Sequence, residues 1–316
     1  LNEFDLIAHY FKRPAKNADL GVGDDAALVS VAAGDQLAIS ADMLVAGRHF
    51  FQDADPERLG RKALAVNLSD LAAMGAEPSW FTLSIAMPAM DTAWLAAFSR
   101  GLLAMADEYD LSLIGGDTTC GPLTIAIQIA GKVPRGQALL RSGAKLGDEV
   151  WVSGYLGAAA AAVMHRTGRV TLTDTLAKRC DLQLDLPTPR LALGRRLRGL
   201  ASAALDISDG LLADLRHICE QSACGAEVWL DAVPFAPDLL SLPQDLRQEA
   251  FLAGGDDYEL CFTAAADQHA AIVALAAELD LPLTQVGKIG KGSDVTLLNA
   301  AKQPVPVTFH GFDHFA

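Results

Sequence analysis

The residues of this chain best suited to chemistry are aspartates set in glycine-rich turns: Gly23-Asp24-Asp25, Gly115-Gly116-Asp117, Asp206-Ile207-Ser208-Asp209-Gly210 and Gly254-Gly255-Asp256-Asp257. Gly-Asp and Asp-Gly pairs are ordinary turn formers, so each cluster taken singly, the last above all, reads as a turn. A further aspartate, Asp70, is harder to read that way. It lies in Lys62–Gly75, where Leu64, Leu68 and Leu71 recur at i, i+4 and i+7 and Gly75 stands where a helix C′ residue wants positive φ. That pattern predicts a buried helix whose second stripe carries Ala63, Asn67, Asp70 and Met74, and a carboxylate in so apolar a helix is costly without a partner. Aspartates spread in this way suit Mg²⁺, a hard cation that takes one or two carboxylates and completes its shell with phosphate oxygens and water.

Other chemistries find less support. Gly21-Val22-Gly23-Asp24-Asp25-Ala26 matches the loose dinucleotide pattern G-x-G-x-x-A, but no strand is predicted before it and two carboxylates occupy the place of the pyrophosphate. No G-x-x-x-x-G-K-[ST] occurs, and no Ser-His-Asp or Cys-His nucleophile arrangement is visible. His310 and His314, four apart among Phe309, Phe312 and Phe315, read as part of a packed aromatic tail before they read as metal ligands. His49 follows Asp42 in a loop and is by itself an ordinary histidine. Arg141 has the planar donor fork that suits phosphate.

A length of 316 residues makes two domains the expectation, and 51% hydrophobic with 20% charged residues is ordinary for globular protein. The formal charge of −14, without a basic stripe, argues against nucleic acid as a partner. The cysteines, 5 in number, contain no C-x-x-C pair, so a disulfide framework and a zinc site are not expected and a reducing compartment is. Leu1-Asn2-Glu3-Phe4-Asp5 shows no leader-like basic and apolar regions, and the most apolar run, Leu156 to Met164, is about half a membrane span, so a cytoplasmic, membrane-free protein is expected.

Hydrophobic period divides the chain into elements. A short helix is predicted over Glu3 to Phe11, then a strand over Gln36 to Ser40 delivering Asp42 at its end. A long helix follows from Pro56 to Met74, a two-faced strand from Trp80 to Met87 and a helix from Asp91 to Tyr109. A short strand, Leu111 to Ile114, runs into Gly115-Gly116-Asp117, and Leu123 to Val133 alternates again. Two long helices against four strands make an α+β domain ending near Gly136. After a polar joint at Arg141 to Asp148 come a strand (Glu149 to Ser153), an alanine-rich helix (Gly157 to Arg166), a passage punctuated by Pro187 and Pro189, and a strand feeding Asp206. Helices at Gly210 to Gln221, Leu246 to Ala253 and Asp267 to Leu279, with strands at Ala226 to Leu230 and Tyr258 to Thr263, complete a second, α/β domain.

Taken in order, Gly21–Ala27, Leu44–Phe50, Lys62–Gly75, Leu113–Thr119, Leu140–Lys145, Asp206–Leu211, Gly254–Leu260 and Gly311–Phe315 closely resemble the thiamine-monophosphate kinase family over essentially the whole chain. That family belongs to the ATP-binding superfamily that also holds aminoimidazole ribonucleotide synthetase and selenophosphate synthetase. The helix Lys62–Gly75 and the loop Val45-Ala46-Gly47-Arg48-His49-Phe50 separate it from those relatives. The resemblance implies a two-domain fold of the aminoimidazole ribonucleotide synthetase type: an N-terminal domain over residues 1–137, a mixed sheet with helices that binds ATP and Mg²⁺ and dimerises, and a C-terminal α/β domain over 138–316 that completes the nucleotide and substrate site. It implies a homodimer, with ATP as co-substrate on several Mg²⁺ ions and thiamine monophosphate as acceptor. By similarity Asp25, Ser40, Ala41, Asp42, Asp70, Asp117, Asp206 and Asp209 hold metal, and Asp70, Asp117 and Asp209 are the catalytic carboxylates. Gly116, Asp117, Arg141 and Ser208 contact ATP, and His49, Asp256 and Phe312 contact the thiamine substrate. Ala41 stands where the family often has Thr, so a metal contact there is through backbone oxygen. Asp256 stands for a frequent Glu and Phe312 for a frequent Tyr. Two other readings stay open: a superfamily synthetase that phosphorylates a carbonyl or amide oxygen, and a non-catalytic nucleotide or divalent-cation binding protein.

Overall fold

A computed structural model describes residues 3–22, 26–307 and 309. They group into two units, one taking the chain up to Leu71 with Ala76–Gly136, the other Ala72–Gly75 with the chain from Gln137 onward. Asp25, His310, Phe312 and His314 lie outside the described residues.

The first unit runs α1 (Glu3–Tyr10), β1 (Asp35–Val45), α2 (Pro56–Ala73), β2 (Glu77–Met87), α3 (Thr92–Glu108), β3 (Ser112–Cys120) and β4 (Thr124–Pro134). Its sheet has the order β1-β4-β2-β3, with β2 and β3 parallel and the other pairs antiparallel. The predicted leucine face of α2 is buried at Leu64, Leu68 and Leu71, as are Phe81, Leu83 and Ile85 of β2 and Ile125, Ile127 and Ile129 of β4. Helix α2 ends as its glycine foretells: Gly75 has φ 65°, and the N–H groups of Gly75 and Ala76 reach back to the carbonyls of Ala72 and Leu71 at 3.0 and 2.8 Å. This paired closure satisfies carbonyls that the helix end would otherwise orphan. On the other sheet face Trp80, Ile114 and Ala130 pack with Ala15, Ala18, Ala27, Val29 and Leu37.

Two strands are longer than their patterns suggest, and both changes concern candidate residues. β1 does not stop at Ser40 but continues to Val45, so Asp42 lies inside a strand and not at its end. β3 likewise runs through Gly115-Gly116-Asp117 to Cys120. The glycines hid it, since glycine is a poor strand former; here a bulge after Phe81 and the close approach of Gly116 to β2 explain them.

The second unit contains β5 (Glu149–Ser153), α4 (Ala158–Arg166), α5 (Asp174–Asp185), α6 (Leu191–Leu197), β6 (Ala201–Asp206), α7 (Leu211–Ser222), β7 (Gly225–Trp229), α8 (Gln244–Ala253), β8 (Leu260–Ala264), α9 (His269–Leu279), β9 (Leu283–Gly290) and β10 (Val295–Leu298). The sheet order is β10-β7-β9-β5-β8-β6. Val150, Val152, Leu205, Leu215, Val228 and Val286 belong to its buried core. The passage around Pro187 and Pro189 is a short loop, residues 186–190, between α5 and α6, two helices that the sequence reading does not give; α5 carries a readable period, Leu176, Cys180 and Leu184, diluted by polar neighbours. Strands β9 and β10 were also not anticipated. β8 begins at Leu260, so Gly254–Glu259 is loop and does not open the strand from within.

Helices α2 and α3 meet at backbone distance. A Cβ on Gly101 would stand 1.8 Å from the Glu57 carbonyl oxygen, and one on Gly60 2.2 Å from that of Phe98. Gly101→Ala is therefore expected to destabilise the protein by about 1–3 kcal/mol, the usual cost of overpacking, as read from urea unfolding. Gly290→Ala, with nothing within 4 Å of the added atom, serves as control and is expected to change stability by no more than about 0.5 kcal/mol.

Candidate active site

In the first unit the second stripe of α2 faces β1. Asn67 is 1% exposed; its Nδ2 donates to the Ala63 carbonyl at 2.9 Å and its Oδ1 accepts the Asp42 N–H at 3.1 Å. One turn on, the half-buried Asp70 accepts the Ser40 hydroxyl at 2.5 Å. These bonds fasten an edge strand to the helix at two points and bring Ser40, Asp42 and Asp70 together. Ala41, between them, points to the opposite face and is exposed, so only its backbone can serve a ligand there.

The turn after β1 is closed by His49, whose Nδ1 accepts the Val45 N–H at 3.0 Å while its own N–H reaches the Val45 carbonyl at 3.0 Å. An accepting Nδ1 leaves Nε2 as the nitrogen that carries the proton. Asp117 stands elsewhere. Asp42, Ile127, Leu83 and Gly116 are level across the sheet, but β1 and β3 are its two edges, three inter-strand spacings or roughly 14 Å apart. Register pairs Asp117 with the exposed Ser84, on the face opposite Asp42. Its Oδ1 accepts the Thr118 N–H at 3.0 Å. Within one chain the sheet does not bring Asp117 to Asp42 and Asp70. At Gly116, φ is 151° and a Cβ would lie 1.8 Å from the Leu83 carbonyl oxygen, so that position must be glycine.

In the second unit β6 ends at the buried Asp206, and Ser208 and Asp209 follow, half-buried, in the turn into α7. The carboxylate of Asp214 accepts the N–H groups of Ser208, Asp209 and Gly210 at 3.1, 3.0 and 3.0 Å. Burial, with the nearby Asp209 adding to it, pushes the Asp214 carboxyl up to about 7 against the pull of those three donors. The loop Gly254–Glu259 docks on this turn: Asp256 N–H to Ser208 O at 2.9 Å, Tyr258 N–H to Ile207 O at 2.8 Å, and Ile207 N–H to Glu259 O at 2.8 Å. Asp256 has φ 66° and accepts the Tyr258 hydroxyl at 2.9 Å. Asp257 accepts the Gly157 N–H at the start of α4, and burial, with Glu259, Asp256 and Asp214 adding to it, holds its carboxyl well above the carboxylate range. Glu259, 5% exposed, receives two bonds from Arg190 and the Ser153 hydroxyl at 2.5 Å. Arg141 is exposed and flanks β6, where Leu140 O accepts the Ala204 N–H at 2.9 Å.

The sequence reading gives no role to Asn67 as donor and acceptor, to Asp214 or to Arg190, and takes Asp257 and Glu259 only as members of a glycine-acid turn. Asp214 had a signal, an acid in the first turn of a helix that opens on an aspartate-rich turn. Arg190 had none, since its partner is 69 residues away in sequence. Among the described residues no three His, Cys, Asp or Glu side chains converge as a ready metal cage. Pairs of carboxylates with a hydroxyl nearby suit an ion that brings phosphate and water ligands with it, as Mg²⁺ does. No helix of the described residues is long and apolar enough to cross a membrane.

Residues 23–133 match the family described as AIR synthase related protein, N-terminal domain, and residues 145–298 its C-terminal domain. Thiamine-monophosphate kinase of Salmonella typhimurium strain LT2 is 46% identical over 321 residues, spanning 99% of this chain and 98% of the relative. Among solved structures, thiamine-monophosphate kinase from Stenotrophomonas maltophilia K279a is 47% identical with a TM-score of 0.85, over 93% of this chain and 94% of that one. AaThiL complexed with AMPPCP and TMP is 28% identical with a TM-score of 0.79, over 93% and 92%.

The Arg190–Glu259 pair allows a direct check of what supports the acid loops. Arg190→Met leaves a buried carboxylate without its guanidinium, and urea unfolding is expected to show a loss of about 3 kcal/mol, the lower end for a broken buried pair because Arg190 keeps 24% exposure. Adding Glu259→Gln to it is expected to recover part of that loss, since the amide carries no charge to bury.

Proposed function

The chain belongs to the thiamine-monophosphate kinase family, and from that premise we propose that it transfers the γ-phosphoryl group of ATP directly to the phosphate of thiamine monophosphate. A phosphate oxygen of the acceptor attacks the γ-phosphorus, the bond from that phosphorus to the bridging oxygen breaks, and thiamine diphosphate and ADP result. The observation that carries this reading is the full-length likeness to that family, one member of which has been solved with AMPPCP and TMP. The acceptor oxygen is already deprotonated near neutral pH, so positioning and charge neutralisation can carry the reaction without a strong general base.

Two anionic substrates must approach a set of aspartates. Like charges about 4 Å apart repel by roughly 4 kcal/mol per pair at an effective dielectric of 20, so several Mg²⁺ ions belong to the reading. Asp25, Ser40, the Ala41 backbone, Asp42, Asp70, Asp117, Asp206 and Asp209 are the groups proposed to hold them, and the ions supply neutralisation of the phosphate charge. Asp70, Asp117 and Asp209 are proposed as the carboxylates on which the rate depends most. Gly116 and Asp117, with Arg141 and Ser208, are assigned to ATP. His49, Asp256 and Phe312 are assigned to thiamine, where an aromatic face and a carboxylate suit a permanently cationic thiazolium ring.

Residues 1–137 act in this proposal as the metal-binding and dimerising part, and 138–316 carry Ser208, Asp209 and Asp256. A homodimer formed through the first sheet gives an occupant to the uncovered part of its second face, where Ile39 and Met43 are 56% and 58% exposed on the side of β1 opposite Ser40 and Asp42. A reducing, cytoplasmic setting goes with the free thiols of the chain.

The test is product analysis with ATP, Mg²⁺ and thiamine monophosphate. Thiamine diphosphate and ADP in equal amounts are expected; inorganic phosphate without thiamine diphosphate overturns the assignment. Asp70→Asn keeps an acceptor for the Ser40 hydroxyl and nearly the same volume but removes the charge. It is expected to lower kcat by about 100-fold or more with an unchanged melting temperature, and full activity would return Asp70 to a structural role.

A further inference from the structure

The bonds made by Asp214 do more than close a helix. The residue at the start of α7 is Gly210, which has no side chain to cap with, and Asp214 lies one turn inside the helix. A reciprocal cap from the first turn ordinarily returns to one N–H, that of the N-cap residue. Here one carboxylate oxygen gathers three consecutive N–H groups, of which two, those of Ser208 and Asp209, belong to the turn ahead of the helix.

A peptide unit is planar and trans, so its N–H and C=O point in opposite directions. The unit whose N–H is that of Ser208 has the Ile207 carbonyl, which accepts from Tyr258; the unit whose N–H is that of Asp209 has the Ser208 carbonyl, which accepts from Asp256. Two adjacent peptide planes are thus held on one side by Asp214 and on the other by the loop Gly254–Glu259. Space enforces the same contact, since a Cβ on Gly255 would come 2.3 Å from the Ser208 carbonyl oxygen. The arrangement has a cost: Asp214 is 5% exposed and sits by the carboxylate of Asp209, where an apolar residue would be cheaper to bury.

We infer that Asp214 is a positioning residue that sets the turn bearing Ser208 and Asp209 and the loop bearing Asp256 as one unit. Resting on the assignment of Ser208 and Asp209 to nucleotide and metal and of Asp256 to thiamine, this inference adds that the two groups are coupled: disturbing Asp214 loosens both at once. Hydrogen bonds in series through peptide planes also polarise one another, so losing one end weakens the other.

The experiment compares Asp214→Ala, Asp214→Asn and Asp148→Ala in the full-length protein. Asp148 is a control, a 4% exposed aspartate that accepts the Lys145 N–H and the Ser202 hydroxyl and has no part in the proposed site. Mn²⁺ binding is measured in the presence of AMPPCP, by electron paramagnetic resonance, and KM for thiamine monophosphate by thiamine diphosphate formation. Asp214→Ala is expected to weaken Mn²⁺ binding and raise that KM by about tenfold or more each, whereas Asp214→Asn, whose amide oxygen still accepts N–H groups, stays within about threefold of wild type. The control is expected to lower the melting temperature and leave both readouts unmoved. Wild-type readouts in Asp214→Ala, a change in only one of the two, or Asp214→Asn as impaired as Asp214→Ala would overturn the inference. Should Asp214→Ala not fold, Asp214→Glu takes its place: it keeps the charge but displaces the acceptor by one methylene, so a shift in both readouts supports positioning and wild-type values refute it. The Mn²⁺ arm needs no turnover; a wild type that makes no thiamine diphosphate while Asp214→Ala still loses Mn²⁺ binding would sink the kinase assignment and leave the role of Asp214 in the metal-bearing turn standing.

Discussion

Carboxylates crowded into one protein must be held in place without having their charge cancelled, and that constraint shapes both units. A carboxylate locked to an arginine is satisfied but already neutralised. One that accepts from a hydroxyl or a backbone N–H is oriented and keeps its charge for a cation. The contacts follow this division. Asp70 takes the Ser40 hydroxyl and Asp117 its neighbour's N–H, whereas Asp214 and Asp257, both pushed up by burial, spend their oxygens on backbone N–H groups and hold chain, not a cation. Glu259, beneath the second acid loop, takes the guanidinium of Arg190 and plays a supporting part.

Backbone supplies the oriented donors only where it is bent to present them, which explains the glycines that accompany the acids. Gly116 permits β3 to lie against the Leu83 carbonyl, and Gly210, at φ 115°, turns the chain from β6 into α7 so that its N–H faces Asp214. Any side chain at these positions would push the peptide planes away from their acceptors. At the surface the balance is different. Exposed pairs such as Arg100–Glu57 and Arg179–Asp238 raise the affinity of the guanidinium for its proton, but solvent screens them and they contribute little to stability.

Much of the fold was legible because the core writes itself into the chain with a fixed period. Leu64, Leu68 and Leu71 announced α2, and Phe81, Leu83 and Ile85 announced β2. Legibility failed where glycine serves close approach and not turning, as in β3, cut short at Gly115, and where polar residues dilute the apolar period, as in α5 ahead of the loop with Pro187 and Pro189. The strand beyond Ser40 was missed because β1 is an edge with an exposed face, so its burial alternates weakly and its polar residues resemble a loop.

The sequence by itself determined the inventory: which acids the chain carries, which stand beside glycine, which helix must bury an aspartate, and the family to which such an ordered set of motifs belongs. These are local properties, set by period and by the conformations each residue allows. Tertiary structure alone decided the company each acid keeps. Asp70 meets Ser40 across 30 residues and Glu259 meets Arg190 across 69, while Asp42 and Asp117, one residue out of level in the sheet, end on opposite edges and opposite faces. Strand order, register and the return of one loop onto another set those distances, and they follow from how whole elements bury their apolar faces and not from any spacing along the chain.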